Sequence, residues 1–315
     1  MSTPIIQTDN LTRAFADKTA VSNLSLRVEK GTIFGLIGAN GAGKTTTVRM
    51  LTTLLKPTSG SATINGFDVR KEALNVRNCI GYVPQEAHAD EALTGKEHLI
   101  LQGRLYGMQK DVLARRIDEV LRLVGLEAEA DRRALKYSSG MRKLLDVAVG
   151  LLHNPSVLFV DEPTTGVDIA HRQRLLDYFG SLTSRETTVF LTSHFLDEID
   201  QLAHRVAILD HGKLIAEGAP VQLKSQLGST VFDITFMNGS TDAGNHLRLS
   251  LKRVRGIAKV MPVGSGLKVF ANEEDEVLRQ IKSVLNESNH AVKSLSVSKP
   301  SLNDVFYYFT DRGSA

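Results

Sequence analysis

The sequence predicts an α/β fold followed by a smaller α+β domain, and three observations point there. A short apolar stretch at 33–37 reads as a strand and runs straight into the glycine-rich turn Gly38-Ala39-Asn40-Gly41-Ala42-Gly43, followed by a helix. Further along, apolar strands alternate with helical stretches, which implies a mostly parallel sheet covered on both faces. After Gln226-Leu227-Gly228 the pattern shifts, marking a second domain.

In chain order, strand-like segments at 5–8 and 24–28 precede the apolar strand. Residues 46–55 read as a helix that Lys56-Pro57 ends. A strand at 80–83 is followed by helices at 96–106 and 112–124. The next helix, 141–152, carries Met141, Leu144, Leu145, Ala148, Leu151 and Leu152 at helical spacing. Then come a strand at 157–160, a helix from 170 to about 182 and a strand at 188–191. Beyond Gly228 the expected order is strand 231–236, helix 245–254, strands 258–263 and 267–270, helix 274–285 and strand 291–297. That order, βαββαβ, is the split-βαβ arrangement of ferredoxin-like domains. A last helix starts at Ser301, with Asp304 completing a capping box and Val305 and Phe309 facing inward. The expected domains are therefore 1–228, with a helical subdomain at about 86–153, and 229–315.

The 315 residues suit two domains, and 42% apolar with 23% charged residues is ordinary globular usage. Thirty-eight Lys and Arg against 35 Asp and Glu leave +3, with no basic run, so nucleic acid is not an expected partner. A lone cysteine, Cys79, excludes an intrachain disulfide and fits a reducing compartment; it is expected at the start of a buried strand. Neither a secretory leader nor an apolar run of spanning length is legible, so a cytosolic chain is expected. Cys79 and the nine histidines show no zinc-ligand spacing.

The turn through Lys44-Thr45 fits a P-loop. Its glycines let successive backbone N–H groups point at a triphosphate, and the helix N-terminus adds positive potential. Lys44 reaches the outer phosphates, and the Thr45 hydroxyl is placed to hold Mg²⁺. A nucleoside triphosphatase also needs a second metal ligand and a group to position water. Four apolar residues, Val157-Leu158-Phe159-Val160, bring Asp161 and Glu162 to a strand's C-terminal end, where α/β folds bind ligands. Asp161 can hold Mg²⁺ through water and Glu162 can polarise the attacking water. The alternative is an acidic strand cap opening the turn at Pro163.

On these residues the first domain resembles the ATP-binding cassette (ABC) ATPases. Tyr137-Ser138-Ser139-Gly140-Met141, twenty residues before the Asp161-Glu162 pair, stands where that family keeps Leu-Ser-Gly-Gly-Gln. The resemblance implies that Ser138, Ser139 and Gly140 face the ATP of a partner subunit; the plainer reading is that a serine only caps the helix. Members usually carry glycine where Ser139 stands. Its Cβ either crowds the γ-phosphate or its hydroxyl adds a donor, and the sequence leaves both open. The resemblance further assigns Gln85 to sensing Mg²⁺ and the attacking water, Asp168 in Thr165-Gly166-Val167-Asp168 to the D-loop, and His194 to contacting the γ-phosphate. Phe15 stands where the family stacks an aromatic on adenine, or else it is a core residue. The implied nucleotide site is thus Phe15 with Gly38, Ala39, Asn40, Gly41, Ala42, Gly43, Lys44, Thr45 and Thr46. Its metal site is Thr45, Gln85 and Asp161, and its catalytic groups are Glu162, His194 and Gln85.

Residues 194–218 and Pro300-Ser301-Leu302-Asn303-Asp304-Val305-Phe306 resemble the daunorubicin-resistance type of ABC ATPase. That resemblance implies ATP-driven, Mg²⁺-dependent export of an amphipathic drug-like compound. The implied assembly is a homodimer, or a pair with a similar cassette, on a separate permease at the cytoplasmic face of the membrane. The alternatives are a non-transport ABC ATPase or a low-turnover module switched by ATP. Phe306-Tyr307-Tyr308-Phe309 is either a dimer or permease contact or simply core.

Overall fold

Six strands carry the glycine-rich turn in the computed structural model, which describes residues 3–86, 89–165, 167–237, 247–287 and 292–310. β4 (Ile33–Gly38) lies between β10 (Arg205–Asp210) and β9 (Thr188–Ser193), and β8 (Val157–Asp161) and β7 (Ile80–Val83) complete a run of five parallel strands. β11 (Lys213–Gly218) returns from β10 through His211-Gly212, both at positive φ, a two-residue connection open only to antiparallel neighbours. Every residue of β4, β8 and β9 is buried, so these strands read as continuous apolar runs rather than alternating ones. Phe34, Phe159 and Phe190 stack across them, with ring centroids 5.3–5.4 Å apart.

A second, antiparallel sheet was not legible in the sequence. β1 (Ile6–Phe15) is its hub, pairing with β2 (Lys18–Leu24), β3 (Arg27–Val28) and β5 (Ser59–Ile64), and β6 (Phe67–Asp68) follows β5. The expected strand at 5–8 is thus ten residues long and reaches Phe15. Bulges between Leu11 and Ala14 break its alternation, and β5 opens with Ser59-Gly60-Ser61, so neither shows a clean strand period.

Three helices fill the expected subdomain, of which residues 87–88 lie outside the described residues. α3 (Gly95–Leu105) opens with a full capping box, Thr94 with Glu97, and α4 (Lys110–Val124) ends on Gly125 at φ 69. α5 (Ser139–Leu151) is closed by buried Arg116 of α4, which donates to the carbonyls of Leu151 and Leu152 at 2.7 and 3.1 Å. The helix after the glycine-rich turn, α1, covers Lys44–Leu51 and stops short of 55, because Thr53 takes φ 63. Cys79 ends α2 (Ala73–Cys79) instead of starting a strand, half-buried with its thiol toward the Val76 carbonyl. α6 (Ile169–Leu182) and α7 (Leu196–Leu202) flank β9 in sequence.

Contacts divide the chain between Glu217 and Gly218. The expected boundary, Gly228, falls inside the second unit. There α8 (Pro220–Ser225) packs on α11 (Leu302–Thr310), and a Cβ on Gly228 would sit 2.4 Å from the Ala271 carbonyl. This unit runs β12 (Thr230–Phe236), α9 (described over 247–251), β13 (Ile257–Val263), β14 (Gly266–Ala271), α10 (Asp275–Glu287) and β15 (Val292–Ser298). The sheet order β13-β14-β12-β15, antiparallel throughout, is that of the predicted split-βαβ domain. Residues 245–246 of the expected helix and 291 of the expected strand lie outside the described residues. In α11, Val305 is buried but Phe309 only half so. Tyr308 packs edge-on to Phe270 while Tyr307 stays exposed.

The predicted capping box is present: Ser301 N donates to Asp304 at 2.8 Å and Asp304 N to Ser301 Oγ at 3.2 Å. Buried Asp304 also takes a 2.7 Å ion pair from Lys268 of β14. Burial alone would push the Asp304 carboxyl up, but the Lys268 and Ser301 hydrogen bonds and the Lys268 charge outweigh it and hold it below its ordinary value of 3.8. Burial likewise opposes the Lys268 charge, yet Asp304 and Asp233 raise the ammonium above 10.5. A lowered carboxyl contributes stability above its unfolded value and loses it as pH falls through the folded one; a raised ammonium loses its contribution only at the alkaline end. The second unit is therefore expected to keep its urea midpoint through neutral pH and to lose it below 3.8. Asp304→Asn should lower the midpoint at pH 7 and flatten that acid limb, which urea titrations at several pH values would read.

Candidate functional site

β4 delivers the chain to the turn, and the turn's carbonyls and glycines fix its course. Gly41 and Gly43 take φ 82 and φ 107, the left-handed region that favours glycine. A Cβ on Gly43 would lie 2.5 Å from the Ala20 carbonyl of β2, and one on Gly38 would lie 2.5 Å from that of Leu209. The Ala42 carbonyl accepts from Gly212 N at 3.0 Å. Gly43 caps α1 without any side chain and no acidic residue sits in its first turn, so the helix presents N–H donors suited to an anion. Lys44, 5% exposed, curls back so that Nζ donates to the carbonyls of Gly38 and Ala39 at 2.7 and 3.3 Å. Burial pushes its pKa down, with the charges of Glu162 and Asp161 opposing.

A cavity of about 510 Å³ opens over this turn, within the usual span for ligand pockets. Asn40, Gly41, Gly43, Lys44, Thr45 and Thr46 line it, joined by Phe15, Gln85 and Glu162 from distant parts of the sequence. Phe15 is no core residue: it is 46% exposed at the end of β1, with Arg13 stacked over its ring at 4.5 Å. Lys18 and Ala20 of β2 also line the cavity. Nothing in the sequence marked them, because β2 is mostly polar and lies against the turn only through the antiparallel sheet.

Asp161 and Glu162 sit at the C-terminal end of β8. Asp161 is fully buried: Thr192 Oγ1 donates to its Oδ1, while its Oδ2 has no hydrogen-bond partner among the described residues. An orphaned carboxylate oxygen in so buried a place fits the coordination sphere of a hard divalent cation. Glu162 takes φ 49, an uncommon backbone for a non-glycine residue, and its N–H bonds to the Thr192 carbonyl and hydroxyl at 3.1 and 3.2 Å. Three groups converge on its side chain: Gln85 Nε2 at 3.2 Å, His194 Nδ1 at 3.1 Å and Lys44 Nζ at 3.9 Å. Four segments far apart in sequence thereby meet at one carboxylate.

Ser138, Ser139 and Gly140 do not line this cavity. Ser138 caps α5, its side chain accepting from Met141 N at 3.1 Å, and Ser139 and Gly140 form the first turn. A Cβ on Gly140 would stand 3.7 Å from Asp168 Oδ2, so the start of α5 neighbours the D-loop. Asp168 caps α6 and pairs with His171 Nδ1 at 2.6 Å; Gly166 lies outside the described residues. Sequence reading also missed Lys143. This buried α5 ammonium, its pKa pushed down by burial against the charges of Asp146, Asp161 and Glu162, donates to the carbonyls of Pro84 and Gln85.

A glycine-rich strand-to-helix turn, paired carboxylates at the end of β8, one strand removed from β4 across β9, and a helical insertion have the architecture of a nucleotide-binding cassette. The sequence profile of the ABC transporter family matches residues 21–165. The "Daunorubicin/doxorubicin resistance ATP-binding protein DrrA" of Streptomyces peucetius is 38% identical, over 98% of this chain and 93% of its own. The "Linearmycin resistance ATP-binding protein LnrL" of Bacillus subtilis (strain 168) is 33% identical, over 98% and 99%. Among solved structures, an "ATP binding subunit of ABC transporter" superposes with a TM-score of 0.66 at 26% identity, over 70% of this chain and 92% of its own. This chain therefore belongs to the ABC transporter ATP-binding proteins, the nucleotide-binding, ATP-hydrolysing subunits of these transporters.

Gly43→Ala should strain the turn through both its positive φ and the Ala20 carbonyl, at a cost of about 1–3 kcal/mol. The expected result is a loss of ATP affinity of about tenfold or more with α1 still folded, read by calorimetric titration beside circular dichroism.

Proposed function

We propose that this chain drives export of an amphipathic, drug-like compound by coupling ATP hydrolysis to a separate membrane permease. The observation that carries the reading is the convergence of Lys44, Gln85 and His194 on Glu162 beside the phosphate-binding turn. The names of its relatives, which confer resistance to daunorubicin, doxorubicin and linearmycin, support the substrate class.

In this reading the turn from Gly38 to Lys44 and the first N–H groups of α1 cradle the β- and γ-phosphates, and Lys44 balances their charge. Phe15 offers an exposed ring to the adenine face. Thr45, Asp161 and Gln85 would hold Mg²⁺, which would supply charge neutralisation to the phosphates. Glu162 orients the attacking water and takes its proton, and His194 contacts the γ-phosphate. Ser138, Ser139 and Gly140 serve the ATP of a second cassette, in a homodimer or a pair with a similar chain, and Asp168 lies at that contact.

No helix among the described residues is long and apolar enough to cross a membrane. The proposed transport role puts the chain at the cytoplasmic face, docked on its permease. Exposed Leu101, Leu105, Tyr106 and Val112, at the end of α3 and the start of α4, supply an apolar surface for that contact.

Lys44→Ala is expected to weaken ATP binding by about ten- to a hundredfold, since a charge-assisted contact is lost. Glu162→Gln should keep ATP affinity while turnover falls by about 10²–10⁴. Titration calorimetry and a phosphate-release assay on the purified chain separate the two effects. In cells that carry the permease, the same Glu162→Gln variant should accumulate daunorubicin where the wild type does not.

A further inference from the structure

Buried ionisable groups outside the site include Glu198 of α7, 3% exposed and four residues past His194 in the chain. Its carboxylate joins three segments. Thr164 Oγ1, two residues past Glu162, donates to Oε2 at 2.9 Å. Arg172 Nε of α6 donates to Oε1. Ser193 Oγ, one residue before His194, lies 3.5 Å from Oε2 and accepts from Phe195 N at 2.9 Å. The Arg172 guanidinium also covers the Phe195 ring at 4.3 Å, and that ring in turn lies 4.1 Å from the His194 ring.

A buried carboxylate with hydroxyl donors and a guanidinium is costly to assemble and costly to break. Its placement matches a need elsewhere. Glu162 holds φ 49, and such a backbone persists only where the surroundings over-determine it. Thr192 fixes the N-terminal side of Glu162, through two bonds to its N–H. On the C-terminal side the anchor is Thr164, itself 3% exposed, and what anchors Thr164 is Glu198. The same carboxylate steadies the segment that carries His194.

We propose that Glu198 is a positioning residue for hydrolysis: by tying Thr164, Arg172 and Ser193 together it keeps the Glu162 carboxylate and the His194 ring facing one another. This rests on the proposed roles of Glu162 and His194. Glu198 acts through Thr164 on the first and through Ser193 and the Arg172–Phe195 stack on the second, and it touches no nucleotide.

The test uses the full chain with Mg²⁺-ATP and the variants Thr164→Val, Thr164→Ser, Glu198→Gln and Thr164→Val/Glu198→Gln, with Glu162→Gln in parallel. Thr164→Val removes one hydroxyl at nearly constant shape. It is expected to lower kcat by about ten- to a hundredfold, the scale of a misplaced reacting group, with KM for ATP within about twofold. Thr164→Ser, which restores the donor, should keep kcat within about threefold of wild type. The double variant should be no slower than the slower single one, because both changes cut the same tether. Wild-type turnover in Thr164→Val, additive losses in the double variant, or equal loss in Thr164→Ser would overturn the proposal. If Glu198→Gln does not fold, the Val and Ser variants of Thr164 decide alone. Near-normal turnover in Glu162→Gln would sink the reading of the site itself, whereas an impaired Glu162→Gln beside an unimpaired Thr164→Val sinks only the role of Glu198.

Discussion

The parallel pairing of β8 with β9 sets Asp161 opposite Thr192, and the geometry of the carboxylate pair depends on that register. Two carboxylates at the end of a fully buried strand are expensive unless polar partners meet them there. Thr192 meets both, donating its hydroxyl to Asp161 and accepting the Glu162 N–H. A slip of one residue would bring Leu191 or Ser193 to that position and turn every side chain to the other face. The pairing therefore fixes where Glu162 leaves the sheet and at what backbone angle, and the residues that surround its side chain are placed relative to that point.

The glycine-rich turn depends on a different neighbour. β4 aims the turn, but the Ala20 carbonyl of β2 closes over position 43 so that only glycine fits there, and Phe15 reaches the cavity because β1 runs ten residues. The antiparallel sheet thus walls the cavity over the turn rather than merely decorating the core. Lys44 bridges the two halves: its stem comes from α1, its ammonium rests on carbonyls of the turn, and its charge answers Glu162 and Asp161.

The helical insertion is tied to the same centre by a buried ammonium. Lys143 of α5 holds the carbonyls of Pro84 and Gln85, while the Gln85 amide reaches Glu162. A displacement of α5, the helix that begins with Ser138-Ser139-Gly140, must strain or break these bonds. Since an unpaired buried ammonium is costly, the start of α5 and the Gln85 backbone tend to move as one.

What the sequence determined by itself was whatever a local signal encodes: the apolar runs of β4 and β8, the glycine spacing of the turn, the capping of α11 by Ser301 and Asp304, and the βαββαβ order of the second unit. Each of these is set by residues within a few positions of one another. Glu162 was expected beside the turn from its place at the end of an apolar strand, whereas Phe15, Gln85 and His194 were expected there through resemblance rather than through any local rule. The antiparallel sheet escaped notice because bulged, half-exposed strands lose their period, and the second unit began earlier than expected because α8 is claimed by α11 and not by its neighbours in sequence. Only the tertiary structure decided that Thr192 serves Asp161, that Lys18 and Ala20 face the nucleotide cavity, and that Glu198 gathers Thr164, Arg172 and Ser193. The hydrogen bonds among them join residues as far as 34 positions apart, through sheet register and helix packing, and no short-range pattern of residue types records them.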